Sequence, residues 1–159
     1  MQPCTINKTG WPKHFRAGFT LIEVLFVLII LAILSSLAYP VYGDAVRKAR
    51  RAEGRAALMK LMQQQERFYT ANNRYVAFSS ASIDADATQF RWYSGETPAT
   101  SSYEISAVAC DGKAILDCVE LTARAGTGKV NVIHKDAMCP ALSLTSTGKK
   151  SARDASCWS

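Results

Sequence analysis

Histidine is scarce in this chain of 159 residues, which contains only His14 and His134. Imidazole is the side chain most often used for proton transfer near neutral pH. The sequence also has no H-E-x-x-H motif, no glycine-rich phosphate loop and no Ser-His-Asp order. These gaps exclude the common catalytic constellations. We therefore expect neither an enzyme nor a bound cofactor.

Metal-binding motifs are lacking as well. The pair Asp84-x-Asp86 is not accompanied by the glycine and the distal glutamate of an EF-hand loop. None of the cysteines is spaced as C-x-x-C, and His134 is the one histidine in the C-terminal half. Both observations disfavour a structural zinc site. We expect no metal site.

Acidic residues are absent from residues 1–18, which carry Lys8, Lys13 and Arg16. A short basic segment ahead of an apolar run is typical of a leader that stays on the cytoplasmic side. In an ordinary secretory signal the apolar core precedes the cut and is discarded. Here the apolar core follows Gly18 and would be kept. An uncleaved signal anchor is the alternative interpretation.

The apolar run from Phe19 to Ala38 is the dominant feature of the chain, with Thr20, Glu23, Ser35 and Ser36 as its polar interruptions. Twenty helical residues extend about 30 Å, the thickness of the hydrocarbon layer of a bilayer. A carboxylate inside such a helix costs about 2.5–3.5 kcal/mol at the midplane and less near its end. Glu23 is therefore expected to have a partner. Cleavage after Gly18 would create one, the α-amino group of Phe19 in the same subunit or in a neighbour.

The segment Gly18-Phe19-Thr20-Leu21-Ile22-Glu23, behind a leader with Lys13 and Arg16, resembles the processing signature of type IV prepilins. The resemblance implies that a prepilin peptidase cuts between Gly18 and Phe19 and methylates the new N-terminus. It implies that Glu23 pairs with a neighbouring subunit's N-terminal amine and sets axial register. It also implies that Pro40 lies where the first helix of pilins bends or locally melts.

A second, amphipathic helix segment follows the apolar run. From Ala45 to about Asn72, Leu58, Leu61, Met62, Gln65 and Tyr69 recur at three- and four-residue spacing, which predicts a stripe that covers a sheet. Gly54 is the weak point of this helix. A basic run just beyond the apolar segment is expected to be a solvated face, or to pair with acids of the next subunit inside a filament, rather than to contact nucleic acid or lipid phosphate. The run consists of Arg47, Lys48, Arg50, Arg51 and Arg55.

Four cysteines remain once Cys4 is removed with the leader: Cys110, Cys118, Cys139 and Cys157. An even number in an exported head favours disulfides. Three connectivities are possible, and the order along the chain favours Cys110–Cys118 with Cys139–Cys157. Alternating patterns predict strands at 102–109, 118–125 and 141–145, with an irregular segment over 75–98. The first bridge would then staple a hairpin, and the second would fasten the tail to the sheet edge.

The predicted fold is α+β, a type IV pilin fold in which a long N-terminal helix packs on an antiparallel sheet of three or four strands with a C-terminal disulfide loop. The predicted division is 1–18 leader, 19–43 transmembrane and assembly helix, 44–74 amphipathic helix, and 75–159 globular head. The order of RRAEGRAALMKLMQQQERFYTANNRY, strands and CPALSLTSTGKK…CW resembles PilE-type and ComP-type minor pilins.

The resemblance implies a structural subunit of a type IV pilus that supports assembly, and thereby motility, adhesion or DNA uptake. Its partners would be other pilins, contacted through the N-terminal helix, the prepilin peptidase and the inner-membrane assembly machinery. Its location would be the inner membrane before assembly, with the head in the periplasm, and the extracellular pilus afterwards. A major pilin and a type II secretion pseudopilin are alternatives. A further alternative is a DNA receptor that uses head cations spread over three loops: Lys113, Arg124, Lys129, Lys135, Lys149, Lys150 and Arg153.

Overall fold

The computed structural model describes residues 18–159, and for residues 37–41 it describes the backbone alone. Residues 1–17 of the expected leader and the side chain of Pro40 lie outside the described residues. The chain divides into two compact units, Met1–Val41 and Tyr42–Ser159. Within the residues whose side chains the structure describes, no helix is both long enough and apolar enough to cross a membrane.

Helix α1 spans Leu21–Asn72. Thr20 precedes its first residue, and the Thr20 hydroxyl accepts a hydrogen bond of 3.4 Å from the backbone N–H of Glu23. A Thr followed three residues later by Glu is the sequence of a capping box, which satisfies amide groups at a helix start. Asn73 follows the last helical residue with a φ of 52°, a left-handed conformation common just after helices. The sequence thus fixes both ends of α1.

The sheet is an antiparallel meander of four strands in the order β1-β2-β3-β4. The strands are β1 (Tyr103–Ala109), β2 (Val119–Ala125), β3 (Ala141–Thr145) and β4 (Lys150–Ala152). The predicted strands at 102–109, 118–125 and 141–145 are confirmed to within one residue. Strand β4 has three residues, too few and too polar for an alternating pattern to reveal it. Around Ala87–Gln89, a single 3-10 turn interrupts the segment predicted to be irregular.

One face of the sheet forms the core together with the amphipathic part of α1. Alternate residues of β1, β2 and β3 are buried, beginning with Tyr103, Val119 and Leu142, and they join Leu58 and Leu61 of the helix in one apolar cluster. This confirms the predicted helix stripe. The opposite face carries a row of hydroxyl side chains across all four strands: Ser106, Thr122, Ser143 and Ser151.

Gln65 joins the core as a polar member of the predicted stripe. Its side-chain amide donates to the carbonyl of Val76 at 2.7 Å and accepts from the N–H of Val76 at 3.0 Å. Gln65 is fully buried, so both of its polar ends need partners. The pair of bonds fastens the chain that leaves α1 against the helix. That chain then runs beside the free edge of β1, where Phe78 pairs with Ala107 and Tyr93 with Glu104 in isolated antiparallel bridges.

Candidate functional site

The first candidate site is the start of α1, where Glu23 follows Phe19 by four residues. Phe19 and Leu21 are 81% and 82% exposed, and the large apolar residues that follow, up to Leu34, are each at least 48% exposed within this chain. Such a surface is stable only when lipid or protein covers it. The arrangement is therefore an apolar contact surface with one carboxylate in its first turn.

The second candidate site is the basic run of α1, where the expected solvated face is wrong for three arginines, which contact other parts of the same chain. Arg51 forms an ion pair with Asp136, with one hydrogen bond of 2.8 Å between Nη2 and Oδ1. Arg50 donates to the Ser102 hydroxyl at 2.7 Å. Arg55 donates to the backbone oxygen of Ser159. These arginines lie on the helix face that packs against residues 102 and 136 of the head and against the C-terminal tail. Lys48 is exposed.

Asp136 is the acid that organises this region. The Arg51 guanidinium lowers the pKa of the Asp136 carboxyl below its ordinary value, and a hydrogen bond of 3.0 Å from the N–H of Cys139 acts in the same direction. The same contact raises the pKa of Arg51. Both groups therefore stay charged through the physiological range. The pair joins the helix to the β2–β3 connection, residues 126–140.

Tyr103 and His134 lie beside this pair, with ring centroids 5.5 Å apart. Both are buried, and neither the Tyr103 hydroxyl nor His134 Nε2 has a hydrogen-bond partner among the described residues. Burial raises the pKa of Tyr103 to about 12. Burial, with the nearby Arg50 cation, lowers the pKa of His134. Both rings are therefore neutral near pH 7 and act as core side chains.

The structure has two disulfides, Cys110–Cys118 and Cys139–Cys157, which are the pairs favoured by the order along the chain. The first closes the loop between β1 and β2. The second has both cysteines fully buried in the core cluster. Trp158 follows it and donates its indole N–H to the carbonyl of Ser151 in β4 at 3.0 Å. The tail is thus fixed at two successive residues, by Cys157 to the β2–β3 connection and by Trp158 to β4.

The structure does not bring the seven candidate DNA-binding cations together. All are exposed, but the antiparallel order divides them between opposite ends of the sheet. The two ends are about 20 Å apart along the seven-residue strands β1 and β2 and about 10 Å apart along the three-residue strand β4. The hairpin end, where β1 turns into β2 and β3 into β4, carries Lys113, Lys149 and Lys150. The connection end, where β2 leads to β3, carries Arg124, Lys129, Lys135 and Arg153.

Arg153 donates a hydrogen bond of 3.2 Å to the carbonyl of Ala137, and Lys150 lies over the ring of Trp158.

Within residues 18–159 no group of three or more histidine, cysteine and acidic side chains could hold a metal ion. Sequence reasoning missed the exposed apolar side chains of the β2–β3 connection, Val132, Ile133 and Met138. The sequence feature that could have revealed them is the presence of apolar residues in a segment that lacks the alternating pattern of a strand.

The helix on an antiparallel sheet with a disulfide-closed tail is the type IV pilin fold. Residues 13–39 match the prokaryotic N-terminal methylation motif. Residues 40–143 match the family described as type IV minor pilin ComP, DNA uptake sequence receptor. This second match covers well over half of the chain, and the chain therefore belongs to that family.

Curated relatives match over shorter stretches. Type II secretion system core protein G of Pectobacterium carotovorum subsp. carotovorum is 32% identical over 72 residues, 45% of this chain and 46% of the relative. Type IV major fimbrial protein FimA of Dichelobacter nodosus is 43% identical over 42 residues, 26% of either chain. The chain thus spans less than half the length of these relatives. A solved type IV pilin from Shewanella oneidensis is 24% identical with a TM-score of 0.45, covering 71% of this chain and 98% of that one.

Proposed function

We propose that this chain is a minor pilin, a structural subunit that helps to initiate or complete a type IV pilus and so supports motility, adhesion or DNA uptake. The family match over residues 40–143 carries this proposal. The exposed apolar start of α1 supports it because a filament of packed helices would cover that surface. The family and the fold are structural types, and the proposed role requires no catalysis.

Processing at Gly18 and Phe19 forms part of the proposal. A prepilin peptidase would cut between them and methylate Phe19, and the match to the methylation motif over residues 13–39 supports this. Glu23 would then pair with a neighbour's N-terminal amine. A buried charge pair adds little net stability, but a carboxylate without its partner is costly, so the pair would specify register. The inner-membrane assembly machinery would draw this single-pass subunit, head in the periplasm, into the extracellular pilus.

Mass spectrometry of sheared surface filaments, beside the membrane fraction, tests the proposal. We expect a low-abundance species that begins at methylated Phe19. Dominance in the filaments would instead make the chain a major pilin. Presence in the membrane alone would favour a secretion pseudopilin. Retention of residues 1–18 in the filament would contradict the processing proposal.

A variant pair tests the role of Glu23. Glu23→Val should insert into the membrane but fail to enter filaments, because its neighbour's amine loses its counterion. Glu96→Val, which changes an exposed acid of the head, is the matched control and should enter filaments normally. Normal incorporation of Glu23→Val would contradict the register role.

DNA binding is a second candidate function, favoured by the description of the matching family as a DNA uptake sequence receptor. The division of the exposed cations shapes its test. Charge reversal at the hairpin end (Lys113, Lys149, Lys150) is compared with reversal at the connection end (Arg124, Lys129, Lys135) in the full chain in neutral detergent. Each lost phosphate contact should reduce the slope of log affinity against log salt by about 0.9. Absence of duplex binding by the wild-type chain at low salt excludes this function.

A further inference from the structure

Two adjoining clefts lie between the basic run of α1 and the β2–β3 connection, with volumes of about 430 and 510 Å³. They share Lys48, Arg51 and Met138 in their walls. Lys135 lines the first cleft and Arg55 the second. Because the two clefts share these residues, we treat them as one surface, the basic cleft. Its charged residues are five cations and two acids: Arg47, Lys48, Arg51, Arg55, Lys135, Asp44 and Asp136.

Both acids of the basic cleft are already neutralised within the chain. Asp44 pairs with Arg47, and Asp136 pairs with Arg51. Lys48 and Lys135 form no ion pair within the described part of the chain, and both are exposed. The cleft therefore keeps an excess of positive charge with its ammonium groups free. That is the chemistry of an anion site, and multivalent oxyanions such as phosphate suit mixed Lys and Arg groups.

Exposed apolar side chains on the same connection point to the kind of phosphate. Ile133 is 88% exposed, Met138 57% and Val132 52%. Lys135 lies between Val132 and Met138 in the sequence. Exposed apolar groups are unfavourable in plain water, but beside cations they suit a lipid interface, where phosphates meet the cations and acyl chains meet the apolar tips. Duplex DNA and free phosphate offer nothing to the apolar groups.

The position of the basic run in the sequence agrees with a lipid ligand. Arg47 follows the end of the apolar run, Ala38, by nine residues. Basic residues close to a membrane anchor are attracted electrostatically to anionic headgroups. We propose that the basic cleft binds the phosphate headgroup of an anionic phospholipid, with Lys48 and Lys135 as the principal contacts and Ile133 and Met138 in the interface. The site rests on the proposed membrane anchoring and holds the head at the bilayer surface before assembly.

The test is native mass spectrometry of the full chain in neutral detergent doped with equal amounts of phosphatidylglycerol and phosphatidylcholine. We expect the wild-type chain to retain phosphatidylglycerol preferentially. Lys48→Glu with Lys135→Glu should lower the ratio of retained phosphatidylglycerol to phosphatidylcholine about tenfold. The matched control, Lys113→Glu with Lys149→Glu, makes the same charge change at the hairpin end and should alter the ratio less than twofold.

Further arms separate the lipid from other phosphates. Ile133→Ser leaves the charge unchanged and should also lower phosphatidylglycerol retention, as a lipid contact requires. Equal ratios in wild type and the double variant, or equal effects in the matched control, would overturn the proposal. Complete displacement of phosphatidylglycerol by millimolar inorganic phosphate would identify a free-phosphate site. If the Lys48→Glu/Lys135→Glu variant lost duplex DNA binding and kept phosphatidylglycerol, the cleft would be a nucleic-acid site. Either outcome refutes the lipid assignment. Filament incorporation of the same variants reports separately on the proposed function.

Discussion

Gly54 of α1 lies directly against the ring of Tyr103 in β1. A Cβ atom at position 54 would be 2.9 Å from two carbons of that ring, closer than real Cβ contacts allow. The glycine that weakens the helix is therefore what lets helix and sheet approach. Tyr103 is fully buried at this contact, so the ring has little room to move.

Gly54→Ala tests this close approach. Alanine gains up to about 1 kcal/mol in helix propensity, but overpacking a core costs about 1–3 kcal/mol. We expect a net loss of about 1–2 kcal/mol, measured by thermal and denaturant unfolding of the full chain in neutral detergent. Gly43→Ala is the control, because a Cβ at position 43 meets only an Arg47 nitrogen at 3.7 Å. This substitution should stabilise the protein slightly. A stabilised Gly54→Ala would contradict the contact.

Asp136→Asn tests the pair with Arg51. Removing one charge from a buried pair costs about 3–5 kcal/mol, and we expect a loss in that range at pH 7. Because Arg51 lowers the pKa of Asp136 in the folded state, the pair's contribution is present above about pH 4, the unfolded pKa, and is lost as pH falls through the folded pKa. Unfolding curves of variant and wild type should therefore converge at acid pH.

The control for that measurement is Asp44→Asn. Asp44 pairs with Arg47 where both side chains are at least half exposed, and exposed pairs contribute about 0–1 kcal/mol. A loss at Asp44 equal to the loss at Asp136 would mean that charge alone, and not the buried geometry, accounts for the effect.

Tyr103→Phe tests the cost of a buried hydroxyl. The Tyr103 hydroxyl has no partner within the described residues, so its removal should leave stability unchanged or raise it by up to about 1 kcal/mol. Tyr75→Phe should instead cost about 1 kcal/mol, because the Tyr75 hydroxyl donates to Glu66 at 3.0 Å. Equal losses in the two variants would indicate a partner for Tyr103.

Alkaline titration gives a second view of the same residue. The pKa of Tyr103 is about 12 in the folded protein, against about 10 in an unfolded chain. The folded state therefore retains the proton longer, and stability should fall as the pH rises from about 10 to about 12. Of the six tyrosines, Tyr103 should ionise late in wild type, together with Tyr75, whose pKa burial also raises. Ultraviolet absorbance should therefore show one late-ionising tyrosine fewer in Tyr103→Phe.

The two disulfides should differ in their contributions. In the chain-entropy model, a bridge across 18 residues stabilises by about 3 kcal/mol and one across 8 residues by about 2.5 kcal/mol. Cys139 and Cys157 are also fully buried, so replacing both with alanine removes core contacts as well. We expect about 3–5 kcal/mol of loss for Cys139→Ala/Cys157→Ala. Cys110→Ala/Cys118→Ala should cost about 2.5 kcal/mol, and the reverse order in denaturant midpoints would contradict this view.

The sequence predicted those parts of the fold that depend on local periodicity. The apolar stripe from Leu58 to Gln65 indicates which face of the helix is buried. The alternation in Tyr103–Ala109 does the same for a strand, so the helix, the strands and the core could be predicted. Strand β4 could not be, because its place is set by pairing with β3 and by Trp158 rather than by its own residues.

The site was less predictable because its contacts join distant positions. Arg51 and Asp136 are 85 residues apart, and no local pattern tells a solvated arginine from one that reaches the head. Gly54 looked like a defect because its partner, Tyr103, lies on another element. The head cations could be named from the sequence, but their division between the two ends of the sheet follows only from strand order.

The meander order of the sheet has a kinetic consequence. Every strand pairs with its neighbour in the chain, so strand pairing closes only local contacts, the longest across residues 126–140, and should be fast. Docking of α1 also closes contacts between residues much further apart in the chain, as between Arg50 and Ser102 at 52 and between Arg51 and Asp136 at 85. The sheet can therefore form progressively as the chain emerges, while helix docking and the oxidation of Cys139 with Cys157 complete the fold last.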